Sequence, residues 1–372
     1  MRSINKAILI AASIFIAASA SAQSAAAPVW EDVATWGYVH PVETDYIVYA
    51  TVPRIPNPSA AASPDPGTPN GIRAPIPNTG PAGTMDLHVD VYQVPSSKPT
   101  PVVIQLHGGG WIRGDRPTSS RSFGPFFAAG ISVVTVEYRN AKDAPAPAAI
   151  QDVRCAMAWV KRNAAKYNFD PNNVIPWGGS AGGHLALMAG YAPASFNPAG
   201  CTDQPHVTAV LDMYGASNVA EALTYRGSMD FTHQWIGLDL PLPRDPEPAP
   251  ASAASDASAA AEPANPDAMP RPRPQAPRWP APTEAVLARA REVSPLTYIH
   301  PGLPPTFIIN GDQDHTYDPT QSSELKAALD AAHVPNQQDL VVGGGHGNFS
   351  AAENQKGMIL ALEFLKANGV IK

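Results

Sequence analysis

The sequence predicts an α/β protein: a mostly parallel central sheet with helices on both faces. Three observations predict it. Short apolar, β-branched runs recur along the chain, segments with helical patterning lie between several of them, and glycine-rich turns follow the runs directly. Strands covered on both faces need continuous apolar character, and helices supply the cover.

Taken in order, the strand candidates are Tyr46–Val52, Leu87–Val94, Val102–Leu106, Ile131–Val136, Val174–Trp177, Val207–Tyr214, Thr306–Ile309 and Asp339–Val342. The helix candidates are Ala148–Tyr167, Ala181–Ala192, Ser322–Ala332 and Glu353–Asn368. Pro176 falls inside a run that should be central in the sheet. Proline has no N–H to give a ladder, so a bulge or a missing neighbour is expected there. In sheets of this kind, ligand chemistry collects at the carboxyl ends of the strands.

Two stretches depart from the pattern. Residues 52–83, rich in Pro, Gly, Asn and Ser, read as a long loop between the first two strands. Residues 241–283 are mostly Pro and Ala and cannot bury enough apolar surface to offset their ordering entropy, so a disordered or polyproline-type insertion is expected. At the start of the chain, Arg2 and Lys6 precede the apolar run Ala7–Ala18 and the small-residue site Ala20-Ser21-Ala22. That is the pattern of a signal peptide over residues 1–22, too short to span a bilayer. Residues 23–372 are then expected to form one domain, periplasmic or secreted, with no stable membrane anchor.

The 372 residues, 44% hydrophobic, suffice for one large core. A formal net charge of −7 leaves no basic footprint for nucleic acid. Export would place Cys155 and Cys201 in an oxidising compartment. A disulfide and a buried free thiol at Cys155 both remain open, and the helical setting of Cys155 leans to the thiol.

The chemistry-bearing residues begin with Ser180, the centre of Gly178-Gly179-Ser180-Ala181-Gly182, with a strand before it and a helix after it. Such a turn lifts the serine Oγ clear of the sheet and aims a helix N-terminus at developing negative charge. A phosphate-cradling loop is the rival, but the Lys-Ser/Thr of a P-loop and the dinucleotide spacing are missing. His107-Gly108-Gly109-Gly110-Trp111 follows its strand directly. Glycine amides there can meet an oxyanion without side-chain obstruction, so Gly109, Gly110 and Ala181 are the expected hole.

A serine nucleophile needs a base, and the base needs a carboxylate. Asp314, preferred to Asp312, stands in the acidic turn after Phe307–Ile309. His346 stands among glycines just beyond the last strand and is preferred to His184, His300, His315 and His333. Trp111 and Tyr214 are candidates to line the substrate pocket, as are Phe231 and Trp235, each with core packing as its alternative. Asp152 and Arg154 read as fold-stabilising charges, and Tyr138 and Arg139 as anchors for the loop after them. No metal or organic cofactor is required by this set.

The two glycine motifs, together with Tyr138-Arg139, Asp170-Pro171, Ser294 to Ile299 and the turns at Asp314 and His346, resemble the α/β-hydrolase superfamily. Within it they resemble the BD-FAE-like carbohydrate and feruloyl esterases. The resemblance covers about residues 85–215 and 290–370. It implies the α/β-hydrolase fold and a serine hydrolase acting through an acyl-enzyme on a small-molecule or carbohydrate ester. Two departures stand out: Asn310 where the family usually has His, and Gly179 where it often has Glu. Amide hydrolysis of the kynurenine-formamidase type is the alternative activity, and a catalytically silent binding module is the alternative class.

Overall fold

The computed structural model describes residues 39–57, 80–117, 120–237 and 280–372. The signal-peptide pattern, positions 58–79 of the predicted long loop and positions 241–279 of the predicted insertion lie outside the described residues.

Eight strands form one sheet: β1 (Val42–Pro53), β2 (Thr84–Gln93), β3 (Thr100–Leu106), β4 (Ser132–Val136), β5 (Phe169–Gly179), β6 (Val210–Met213), β7 (Thr306–Gly311) and β8 (Asn336–Val341). Their order is β1-β2-β4-β3-β5-β6-β7-β8. The pairs β1·β2 and β2·β4 are antiparallel, and every other pair is parallel. This is the α/β-hydrolase fold. The helices are α1 (Gly124–Ala128), α2 (Ala148–Arg162), α3 (Ala181–Tyr191), α4 (Val219–Ala222), α5 (Met229–Ile236), α6 (Glu284–Glu292), α7 (Thr320–Ala331) and α8 (Ala351–Ala367). Helices α1, α4, α5 and α6 were not among the expected ones, being short or adjacent to the proline-rich stretch.

Each face of the sheet buries its own cluster. On one face, Ile150, Val153, Met157 and Val160 of α2 recur at three- and four-residue steps and pack with α3 and with Leu325 and Leu329 of α7. On the other, Phe126 and Phe127 of α1 and Met358, Leu362 and Leu365 of α8 cover Val103, Ile175, Phe307 and Ile309. Between Asp152 and Arg139 a buried ion pair forms (2.7 Å), and Arg139 also donates to the Pro53 carbonyl, fastening the end of β1. Removing either partner would leave a buried charge alone.

Pro176 sits where the β5·β6 ladder is interrupted. An isolated bridge pairs Val174 with Val207, and the continuous ladder resumes only at Trp177 and Leu211. The pairing therefore slips by one residue across Pro176. The N–H of Val174 bonds the His206 carbonyl, so the next donor on that side would be the nitrogen of Pro176, which has none.

Cys155 and Cys201 form a disulfide spanning 46 residues, which corrects the leaning towards a free thiol. Cys155 faces the 197–204 segment, not the sheet. That segment is held on α2 by Arg154 Nε to Asn197 Oδ1 (2.7 Å) and by Gln204 Nε2 to the Arg154 carbonyl (2.9 Å). By loop-closure entropy such a link is worth about 4 kcal/mol.

Candidate active site

The site is assembled at the carboxyl ends of β3, β5, β7 and β8. Ser180 follows β5 and precedes α3 with φ 58° and ψ −121°, a strained conformation for a residue with a side chain. Two bonds hold it. Its N–H donates to the Met213 carbonyl (2.9 Å), and its own carbonyl accepts from the His184 N–H (3.0 Å), opening α3.

His346 Nε2 lies 2.7 Å from Ser180 Oγ, and His346 Nδ1 lies 2.7 Å from Asp314 Oδ2. With Nδ1 protonated and donating to the carboxylate, Nε2 is free to accept from the serine. The imidazole is 20% exposed and Asp314 5%, so the relay runs from the cleft inwards. The other oxygen of Asp314 accepts from the N–H groups of Thr316 (2.7 Å) and Tyr317 (3.2 Å), which fixes the carboxylate plane. Asp312, its rival in the same turn, accepts instead from the Gly343 N–H (2.6 Å) and steadies the loop that carries His346. The turn thus divides its labour: Asp314 faces the imidazole and Asp312 the backbone beneath it.

Gly109 and Gly110 adopt φ values of 124° and 60°, which glycine accepts without cost. Among the described residues their N–H groups meet no backbone acceptor. Gly108 runs directly against Ser180: a Cβ built there would stand 3.6 Å from the serine Cβ. The glycine loop therefore brings unused donors next to Ser180, together with the N–H of Ala181 at the start of α3.

Trp111 does not line a substrate pocket, contrary to expectation. Its indole is fully buried, stacked on Trp235 (4.3 Å, 11°), and its Nε1–H donates to His184 Nδ1 (3.1 Å). His184 Nε2 in turn donates to the Val293 carbonyl (2.8 Å). The residue has φ 59°, so stacking and the indole hydrogen bond hold a strained backbone and lock the glycine loop. Trp235 is likewise core. Phe231, partly buried, packs on Gly110.

Tyr214 is placed beside the relay, its ring edge-on to His346 at 5.0 Å. Gly179 makes that possible, since a Cβ there would stand 2.8 Å from the tyrosine hydroxyl. The departure from Glu at this position is thus matched by an aromatic ring filling the shoulder of the elbow.

Beneath the elbow, Asp212 lies fully buried one residue before the end of β6. One oxygen accepts from the Gly215 N–H (2.9 Å) and the other has no partner among the described residues. Burial pushes its carboxyl up to about 7. The folded protein then keeps this proton to a higher pH than the unfolded chain, whose value is about 3.9. Its stabilising effect is complete below that value and is lost as pH rises through about 7, by about 4 kcal/mol in all. His184 acts in the opposite sense, because burial lowers it to about 4 and its contribution is lost as pH falls towards that value. The two slopes oppose each other between, so the measurement is the difference in Tm between Asp212→Asn and wild type. That difference should move in favour of the variant from pH 4 to 7 and then level off. A constant difference across the range would refute the assignment.

Comparison with known proteins adds the family. The BD-FAE family model matches residues 89–245 and 275–329. The chain belongs to the BD-FAE family. Among similar proteins of Mycobacterium tuberculosis, Esterase LipQ is 28% identical over 298 residues, covering 78% of this chain and 61% of LipQ. Carboxylesterase NlhH is 40% identical over 110 residues, 29% of this chain and 34% of NlhH. This BD-FAE chain therefore spans less than two thirds of the length of these relatives. The apo form of Thermogutta terrifontis esterase 2 superposes with a TM-score of 0.55 at 22% identity, covering 77% of this chain and 92% of that one, a likeness of fold.

One residue of the BD-FAE site escaped the sequence reading. Tyr317, three positions beyond Asp314, lies with its ring edge-on to His346 at 5.3 Å. Nothing in its local pattern marks it.

Proposed function

We propose that this chain is an exported serine ester hydrolase that works through an acyl-enzyme on short-chain, acetyl or feruloyl esters of carbohydrate. The observation that carries the reading is the unbroken relay Ser180–His346–Asp314, with contacts of 2.7 Å at both joints. Membership of the BD-FAE family and similarity to proteins named esterase and carboxylesterase support the ester as substrate. The basic, apolar and small-residue N-terminal pattern and the Cys155–Cys201 pairing support export.

In this reading His346 takes the Ser180 proton as Oγ attacks the ester carbonyl, and Asp314 holds the resulting imidazolium. The amides of Gly109, Gly110 and Ala181 receive the oxyanion, already positioned before charge develops. The imidazolium then protonates the departing alcohol, and water enters by the reverse sequence to free the acid.

A fluorophosphonate probe tests the chemistry: mass spectrometry should find it on Ser180, and an unmodified Ser180 would reject the hydrolase. Acetylated xylan, methyl ferulate and p-nitrophenyl esters of rising chain length test the substrate. Turnover confined to the long-chain p-nitrophenyl esters would reject the carbohydrate-ester half of the proposal.

A further inference from the structure

Tyr317 is 3% exposed, yet its hydroxyl meets no hydrogen-bond partner of good geometry among the described residues. A buried, unsatisfied hydroxyl costs about 1–3 kcal/mol, and phenylalanine at the same place would avoid the cost. The ring is well held without the hydroxyl. It stands edge-on to His346 (5.3 Å) and to Phe231 (5.9 Å), and lies 6.4 Å from Trp111. Its backbone N–H is tied to Asp314 Oδ1. These contacts suspend the ring between the imidazole on one side and the aromatic support of the glycine loop on the other. The same imidazole meets Ser180 Oγ through its Nε2 at 2.7 Å, so the orphaned phenol and the nucleophile share one neighbour.

We propose that Tyr317 is a further catalytic residue whose hydroxyl donates a hydrogen bond to Ser180 Oγ only as that oxygen gives up its proton to His346. The inference rests on the hydrolase reading above. Oγ carries one proton, which it gives to His346, and two lone pairs. A donor brought onto one lone pair stabilises the negative charge that Oγ gains as its proton leaves. During acylation the Oγ–carbonyl bond forms while the Oγ proton passes to His346 Nε2. During deacylation water gives a proton to His346 Nε2 as its oxygen bonds the acyl carbon, and His346 passes that proton to Oγ as the Oγ–carbonyl bond breaks. Tyr317 keeps its own proton throughout and stabilises the oxygen as it leaves. Burial favours this role, because desolvation raises the phenol well above its ordinary range and so keeps it a donor rather than a base. The orphaned hydroxyl is then a cost to the fold that is recovered at the reacting oxygen.

Tyr317→Phe tests this, since the ring and its packing remain. The readouts are the rate of fluorophosphonate labelling and kcat and KM for p-nitrophenyl acetate. Labelling and kcat are expected to fall about 10- to 100-fold with KM unchanged. The Tm should stay the same or rise, because an unsatisfied polar group has been removed. Labelling and turnover within two-fold of wild type would overturn the proposal. A fall in Tm in step with the lost activity would overturn it too, since the hydroxyl would then serve the fold. Failure of the wild-type protein to label is a different result, which strikes the hydrolase reading itself.

Discussion

Ser180→Ala is expected to lower kcat for p-nitrophenyl acetate by about 10⁶-fold while leaving Tm nearly unchanged. The side chain makes one hydrogen bond, to His346, so little stability is lost with it. The strained φ of 58° also persists in the variant, because alanine keeps the Cβ that causes the strain. What remains is the glycine loop and the N-terminus of α3. Together they can still polarise a bound carbonyl and retain a residual acceleration of about 10³-fold over water. Activity within ten-fold of wild type in a homogeneous preparation would mean that another nucleophile operates.

Asp314→Asn should cost about 10⁴-fold in kcat, with KM and fold preserved. The variant can keep one oxygen for the N–H groups of Thr316 and Tyr317, so the turn stays in place. The amide then points its NH₂ at His346 Nδ1, where a carboxylate oxygen had been. An amide donor there requires Nδ1 to accept, which moves the ring proton to Nε2 and blocks the nitrogen that must receive the serine proton. Asp312→Asn provides the contrast. It can still accept from the Gly343 N–H and should cost less than ten-fold. Equal losses in the two variants would show that the turn acts through its shape and not through the imidazole tautomer.

Much of this site was legible in the linear chain. Glycine spacing marked the elbow at Ser180 and the loop at Gly109 and Gly110, because those backbone paths exclude most other residues over a few positions. The strand-end setting singled out His346, and chain order favoured Asp314. Other readings failed for reasons that local sequence does not contain. Trp111 stands in the motif, where pocket wall and core packing are both open to it; a positive φ turns its indole inwards onto Trp235, more than a hundred residues away in the chain. Cys155 sits in a buried helix, but whether its thiol faces the sheet or the 197–204 segment depends on how that segment returns over α2. Tyr317 gave no signal at all, since an aromatic in a turn has many uses.

The sequence by itself determined the α/β alternation, the turns after the strands and the residue types offered at each turn. These follow from period and from backbone conformations settled within a few residues. Only the tertiary structure decided which of those offers meet: Ser180 with His346 across 166 positions, Cys155 with Cys201, and Tyr317 against the imidazole. Strand order and the two packed faces of the sheet set those meetings, and both arise from the whole chain folding at once, beyond the reach of any local pattern.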